Sequence, residues 1–170
     1  MMIATGVVGL RLNEKIAEVV LDPETRQIVD LNLYQRIRFK CKRCATFCCK
    51  LGGPKLTEKN IEQISRSGYS VEEFLESASN SLNSKKDGSC IFLKFEAERN
   101  IYTCKIYDFR PALCRLYPFH IDKVSPQSFM LKFIPCCMGL NNTDGEVVDK
   151  GFVIHYLFDA ALEVLESFKA

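Results

Sequence analysis

Four of the nine cysteines in this 170-residue chain fall within nine residues, Cys41, Cys44, Cys48 and Cys49 in "CKRCATFCC". No other feature restricts the fold as strongly. Thiols spaced this closely on one segment converge, and converged thiolates need a cation. The remaining five are Cys90, Cys104, Cys114, Cys136 and Cys137. Disulfides are the competing use, and compartment decides between them. The N-terminal stretch "MMIATGVVGLRLNEK" has no basic n-region and no long apolar h-region, so a cytoplasmic location is expected. In a reducing cytosol this spacing predicts metal ligation. The odd count and the adjacent pairs 48–49 and 136–137 also suit disulfides poorly.

The rest of the chain predicts an α+β fold. We expect a small cysteine-rich single domain over residues 1–170, with short strands and hairpins and three or four helices organised around thiolate metal sites. Its metal-binding core is expected at 39–145, with an N-terminal hairpin and a C-terminal helix packed on it. Residues 15–31 read as two strands about a turn at Asp22–Pro23–Glu24–Thr25. Residues 33–40 read as a strand or short helix. A helix is expected over 57–67, capped by Thr57 and stopped at Gly68, with Ile61 and Ile64 inward. A second begins at Ser70, with Glu73 completing a capping box and Val71, Phe74, Leu75 and Ala78 on one face. Residues 90–95 and 100–107 form a hairpin that brings Cys90 towards Cys104. Pro111 opens a short helix containing Cys114. Residues 128–134 are a strand. Residues 151–169 are a helix with Phe152, Ile154, Leu157, Phe158, Ala161, Leu162 and Leu165 inward.

Within the window, C-x2-C suits two ligands from one turn, and Cys48 adds a third one helical turn on. Cys49 diverges from its neighbour, so one window serves one metal with three ligands or two metals close together. The other ligands must come from Cys90, Cys104, Cys114 and the 136–137 pair. From Arg36 to Lys55 there are seven basic residues (Arg36, Arg38, Lys40, Lys42, Arg43, Lys50, Lys55) and no acid. Such cations lower thiol pKa and offset the charge of a thiolate centre. A nucleic-acid patch and a solvated loop are the competing readings. A net charge of +2 gives no general case for nucleic acid. All-sulfur sites suit zinc or iron. Four thiolates on zinc leave no open position, whereas an iron–sulfur cluster opens redox roles. C-x2-C-x3-C reverses the spacing used for radical chemistry on S-adenosylmethionine and does not support that assignment.

A second constellation, "CKIYDFRPALCRLYPFH", spans 104–120. Cys104 and Cys114 are candidate ligands. Arg110 and Arg115 can neutralise thiolates or hold an anion bidentately, and Tyr107 can donate to a sulfur. These three are the candidate cofactor-binding residues, with scaffolding around the metal as the simpler role. His120 is an alternative ligand. His155, in an apolar helix, reads as a satisfied core residue. No Ser/His/Asp order, P-loop or dinucleotide loop is present.

These residues resemble the YkgJ-type cysteine-cluster family, a zinc- or iron-chelating domain known by its CxxCxxxCC motif. Cys41, Cys44, Cys48 and Cys49 match that motif, and "CIFL" at Cys90, "CKIYDFRPALCRLYPF" and "CMGL" from Cys137 followed by Gly145 extend the resemblance over roughly 39–145. Met138 departs from the family's proline, and Cys136 is an additional thiol. The resemblance implies ligation by Cys41, Cys44, Cys48, Cys49, Cys90, Cys104, Cys114 and Cys137, with Cys136 unassigned. A related cysteine arrangement in flagellin lysine N-methylase implies a protein-modifying role, although no methyltransferase domain is evident here. The leading expectation is a metal-binding protein holding an iron–sulfur cluster, [4Fe–4S], with a redox or protein-modification role. Its partners would be the metal or cluster and a protein substrate or redox partner, with no nucleic acid and no membrane. The rival is a non-catalytic zinc-binding interaction module. A third reading is a metal-dependent enzyme acting on a protein side chain, its site lined by Tyr107, Arg110 and Arg115.

Overall fold

The computed structural model describes residues 14–45 and 49–167. The expectation for Cys48 therefore lies outside the described residues, as does the last turn proposed for the C-terminal helix.

The N-terminal hairpin forms as its sequence predicts. Strands β1 (Glu14–Leu21) and β2 (Ile28–Leu33) pair antiparallel. Asp22 closes their turn, its Oδ1 accepting from the backbone N–H groups of Glu24 and Thr25 at 3.0 and 2.7 Å. The hairpin joins two strands from far along the chain, β8 (Phe119–Ser125) and β9 (Ser128–Phe133), in the order β2-β1-β9-β8. Strand β8 was not anticipated, because "FHIDKVS" carries too little alternation to mark it. A register shift in the β1–β9 pairing between Lys15 and Ala17 lets Ile16 and Ala17 both be buried.

The C-terminal helix covers this sheet. It consists of α4 (Lys150–Phe152) and α5 (Phe158–Ser167) joined through a π turn at Val153–Leu157. The π turn shifts the buried stripe by one residue. Val153 is 1% exposed and takes the place expected for Ile154, which is 43% exposed. The shift also corrects His155, which faces solvent instead of the core. Phe129, Leu131, Leu157, Ala160 and Ala161 form the first core, with Ala112 and Leu116 of α3 (Ala112–Leu116).

A second core lies in the middle of the chain. Helix α1 (Glu58–Arg66) is capped by Thr57, whose Oγ1 accepts from Asn60 N–H at 3.0 Å. It buries Ile64 fully and Ile61 partly. Helix α2 (Val71–Phe74) starts where expected, with Ser70 N–H donating to Glu73 Oε2 at 3.2 Å, but lasts a single turn. Asn83 N–H takes the Phe74 carbonyl at 2.7 Å, and Leu75 is extended. The chain becomes a small hairpin, β4 (Leu75–Glu76) with β5 (Ser81–Leu82), so Leu75 pairs with Leu82 and Ala78 lies in the turn. Leu56, Ile64, Phe74, Leu82 and Phe92 pack here around Cys90. Among the described residues, no helix is long and apolar enough to cross a membrane.

Candidate metal centre

Five segments, far apart in sequence, bring their cysteines to one cavity of about 420 Å³ between the two cores. Its wall carries Cys41, Cys44, Cys49, Cys90, Cys104, Cys114 and Cys137, all the described cysteines expected as ligands. Cys136 and His120 do not line it. Adjacent residues point apart, so the choice between Cys136 and Cys137 is made by the loop after β9.

Each segment is fixed by backbone bonds. Residues 38–40 hold the start of the window through β3 (Arg38–Phe39), which pairs with β10 (Glu146–Val147). Lys40 N–H donates to Gly139 O at 2.9 Å, which lays the Cys137 loop against the window. That approach needs glycine, since a Cβ at Gly139 would sit 2.6 Å from Lys40 O and one at Gly145 2.9 Å from Phe39 C. Arg43 and Ala45 lie in the left-handed region (φ 51° and 52°) on either side of Cys44. Such strain in non-glycine residues clusters at functional sites. Arg43 O accepts from Tyr102 N–H at 3.2 Å, and Cys49 O accepts from Cys90 N–H at 2.8 Å.

The hairpin that carries Cys104 is shorter than expected, β6 (Leu93–Glu96) with β7 (Ile101–Cys104), and Leu93 pairs with Cys104. Cys90 precedes β6 in a bridge to Ser84. The proximity expected for Cys90 and Cys104 is nevertheless present. Burial pushes the Cys90 thiol up and the neighbouring Cys104 adds to this, against the N–H groups of Phe92 and Leu93 and the Lys85 ammonium. A thiol raised in this way becomes a thiolate when a cation shares its cavity. Gly139 N–H also donates to Cys137 Sγ at 3.4 Å. Backbone donors on sulfur are the usual outer contacts of thiolate metal sites. The donor set therefore fits a thiophilic metal or cluster. Among the described residues, no three Cys, His, Asp or Glu side chains are gathered at single-ion spacing. The thiols are spread around the cavity wall.

The basic stretch divides by use. Lys40 and Lys42 share Asp144, at 2.8 and 3.5 Å, and Arg38 donates to Gly145 O at 2.8 Å. Lys50 Nζ stands 4.4 Å from the centre of the Tyr102 ring. Arg43 and Arg110 both lie against the Tyr107 ring, at 5.5 and 3.8 Å. Tyr107 thus contributes its ring face, and Arg110 Nε donates to its carbonyl at 3.0 Å. Tyr107, Arg110, Lys42 and Arg43 line the cavity.

Arg115 does not line it. Its Nη2 donates to Glu163 Oε2 at 2.7 Å. Glu163 is buried, and its Oε1 accepts from Thr57 Oγ1 at 2.8 Å and Asn60 Nδ2 at 2.5 Å. This polar joint ties α1, α3 and the C-terminal helix together. The sequence carried no signal for it, because Glu163 falls outside the inward stripe expected for that helix and is turned inward only after the π turn. Glu96, Arg99 and Thr103 also line the cavity and were not anticipated. His120 lies on β8 opposite Lys132, with Nδ1 buried and without a hydrogen-bond partner among the described residues.

A fold with two small cores clasping a cysteine-lined cavity is the arrangement of a metal-binding domain. The family model "CxxCxxCC: Putative zinc- or iron-chelating domain" matches residues 40–144, well over half of the chain, and the protein belongs to that family. It is similar to the uncharacterized protein MJ0661 of Methanocaldococcus jannaschii, with 29% identity over 128 residues. The match covers 68% of this chain and 65% of that protein's length. No solved structure matches.

Proposed function

We propose that this protein holds an iron–sulfur cluster on thiolates drawn from Cys41, Cys44, Cys49, Cys90, Cys104, Cys114 and Cys137. The observation that carries the reading is the size of the cysteine-lined cavity, about 420 Å³. A single water occupies roughly 30 Å³ in the liquid, and a lone four-coordinate ion needs no comparable void. Cysteines distributed around such a space suit a polynuclear centre. Arg43 and Arg110, stacked on Tyr107 at the wall, would offset the negative charge of the thiolate centre. A cluster would supply one-electron redox chemistry. The chain's own residues would set how far solvent reaches it.

Anaerobic purification followed by analysis for iron, zinc and acid-labile sulfide, with a visible spectrum, tests this. Iron and sulfide in equal amounts, with the broad visible absorption of a thiolate-held cluster, is the expected result. A colourless protein with stoichiometric zinc and no sulfide would refute it and favour the zinc-binding interaction module.

A further inference from the structure

Two adjoining grooves lead away from the cysteine cavity. The first, of about 610 Å³, shares Phe39, Cys41, Tyr107, Arg110 and Tyr117 with the cavity wall. The second, of about 860 Å³, shares Arg115 and Asp159 with the first and lies between Thr57, at the start of α1, and the C-terminal helix. A site for one small ligand spans about 300–1,000 Å³. Two grooves of this size side by side suit an extended chain better than one compact molecule.

The charges along them are unequally paired. Of the lining cations, Lys40 is bonded to Asp144 at 2.8 Å, and Arg115 and Lys59 share Glu163 at 2.7 and 3.8 Å. Arg110 lies on the Tyr107 ring at 3.8 Å. Four lining acids have no ion pair among the described residues: Glu146 and Asp159 in the first groove, Glu58 and Glu166 in the second. All four are exposed. Such an excess of unpaired carboxylates favours a cationic occupant, with an attraction that salt screens. The first groove also offers an aromatic face. Tyr156 is 56% exposed, its ring packs on Phe152 at 4.9 Å, and no described Lys or Arg covers it. Tyr107 on the same groove shows these walls accepting a guanidinium.

We infer that the two grooves form the docking site for an extended, Lys- or Arg-rich segment of a partner protein, which passes the cysteine cavity at Cys41. Its basic side chains meet Glu146, Asp159 and the Tyr156 ring. A second copy of this chain is a poor occupant, because its own basic stretch is largely engaged: Lys40 and Lys42 on Asp144, Arg38 on Gly145 O, Lys50 on the Tyr102 ring and Arg43 on the Tyr107 ring. The inference names a partner for the metal centre and rests on that reading for what docking serves. Docking itself is measured separately from metal content.

Fluorescence anisotropy tests it with the intact, metal-loaded protein and two labelled peptides. One alternates lysine with serine and leucine, and the other carries glutamate at every lysine position. The basic peptide should bind and the acidic one should not. Raising the ionic strength from about 0.02 to 0.15 M should weaken binding several-fold. Glu146→Lys and Asp159→Lys should each weaken it about threefold or more, and Tyr156→Ala about two- to fivefold. Glu24→Lys, on the remote Asp22 turn, should leave it unchanged. Circular dichroism and metal content matching the parent show that each variant is intact. Absence of basic-peptide binding, or equal binding of both peptides, overturns the inference, and these readings need no variant to fold. Parental affinity in the Glu146→Lys, Asp159→Lys double variant does the same. So does spermidine that displaces the peptide at equal concentration, or self-association of the parent that Asp159→Lys abolishes. Zinc in place of iron with peptide binding intact defeats the cluster proposal and leaves the docking site standing; an iron–sulfur protein that ignores the basic peptide does the reverse.

Discussion

Glu163 joins the two halves of the molecule, and removing its carboxylate gives a result that can be estimated from the structure. Its side chain is 5% exposed and accepts from Thr57, Asn60 and Arg115, with Lys59 Nζ at 3.8 Å. Hydrogen bonds to charged groups contribute about 1.5–3 kcal/mol each. Thr57 and Asn60 keep bonds to one another, and Arg115, 32% exposed, can turn part of its guanidinium to water. Glu163→Leu should therefore cost about 3 kcal/mol rather than the sum of three bonds. Arg115→Leu should cost a similar amount, because it leaves a buried carboxylate with two neutral donors and the exposed Lys59 ammonium at 3.8 Å as its one remaining cation among the described residues. In a domain of this size, about 3 kcal/mol lowers Tm by roughly 6–12 °C. The double variant removes both charges and should be no worse than either single change, giving a coupling energy of about 3 kcal/mol or more. Thermal and urea denaturation at matched metal content measure all three. Metal content should be unchanged by Arg115→Leu, since the side chain lies off the cavity. A Glu163→Leu protein that melts within about 2 °C of the parent, or single costs that add in the double variant to within about 0.5 kcal/mol, would refute the reasoning.

Three further outcomes are expected. Val153→Ala should cost about 2 kcal/mol, while Ile154→Ala stays within about 0.5 kcal/mol; equal costs would remove the register shift at the π turn. Extracting the metal should lower Tm and make the chain cleavable between Cys41 and Leu56, since folding and metal binding are coupled; protease mapping that gives the same pattern with and without metal would contradict this. Burial holds the His120 imidazole below its ordinary value of 6.5, with Asp122 opposing and Lys132 adding to the effect. The folded protein thus refuses a proton that the unfolded chain accepts as pH falls through 6.5, and stability declines in that direction. His120→Leu should lose less Tm than the parent between about pH 7 and pH 5; an identical slope in both proteins would remove His120 from the account.

Features set by local chemistry were legible in the sequence. Thr57 as an N-cap, the Asp22 turn and Pro111 ahead of Cys114 all depend on neighbours within a few residues. The gathering of the cysteines was legible for another reason, since thiols spaced closely on one segment converge, and seven of the described ones line one cavity. What escaped depends on distant partners. Helix α2 ends after one turn because Asn83 competes for its carbonyl. Strand β8 exists because β9 offers an edge. Arg115 beside Cys114 looked like part of the metal's surroundings, and only the arrival of Glu163 from the last helix shows which way it turns. His155 was displaced outward by one extra residue in a helical turn, a shift that hydrophobic periodicity does not reveal.

The central sheet has a consequence for how the protein is made. Strand β1 pairs with β9, so Val19 meets Phe129 and the first core cannot close until both have been synthesised. At roughly 5–20 residues per second, the N-terminal hairpin waits about 5–20 s for its partner. A lone two-stranded hairpin is at best marginally stable. During that interval most of the cysteine-bearing segments emerge, while Cys137, which follows β9, is still to come. The nascent chain thus exposes reduced thiols before the sheet that organises half of the cavity exists. Delivery of metal to a growing chain, and protection of its thiols from oxidation, become questions of timing in synthesis as much as of affinity.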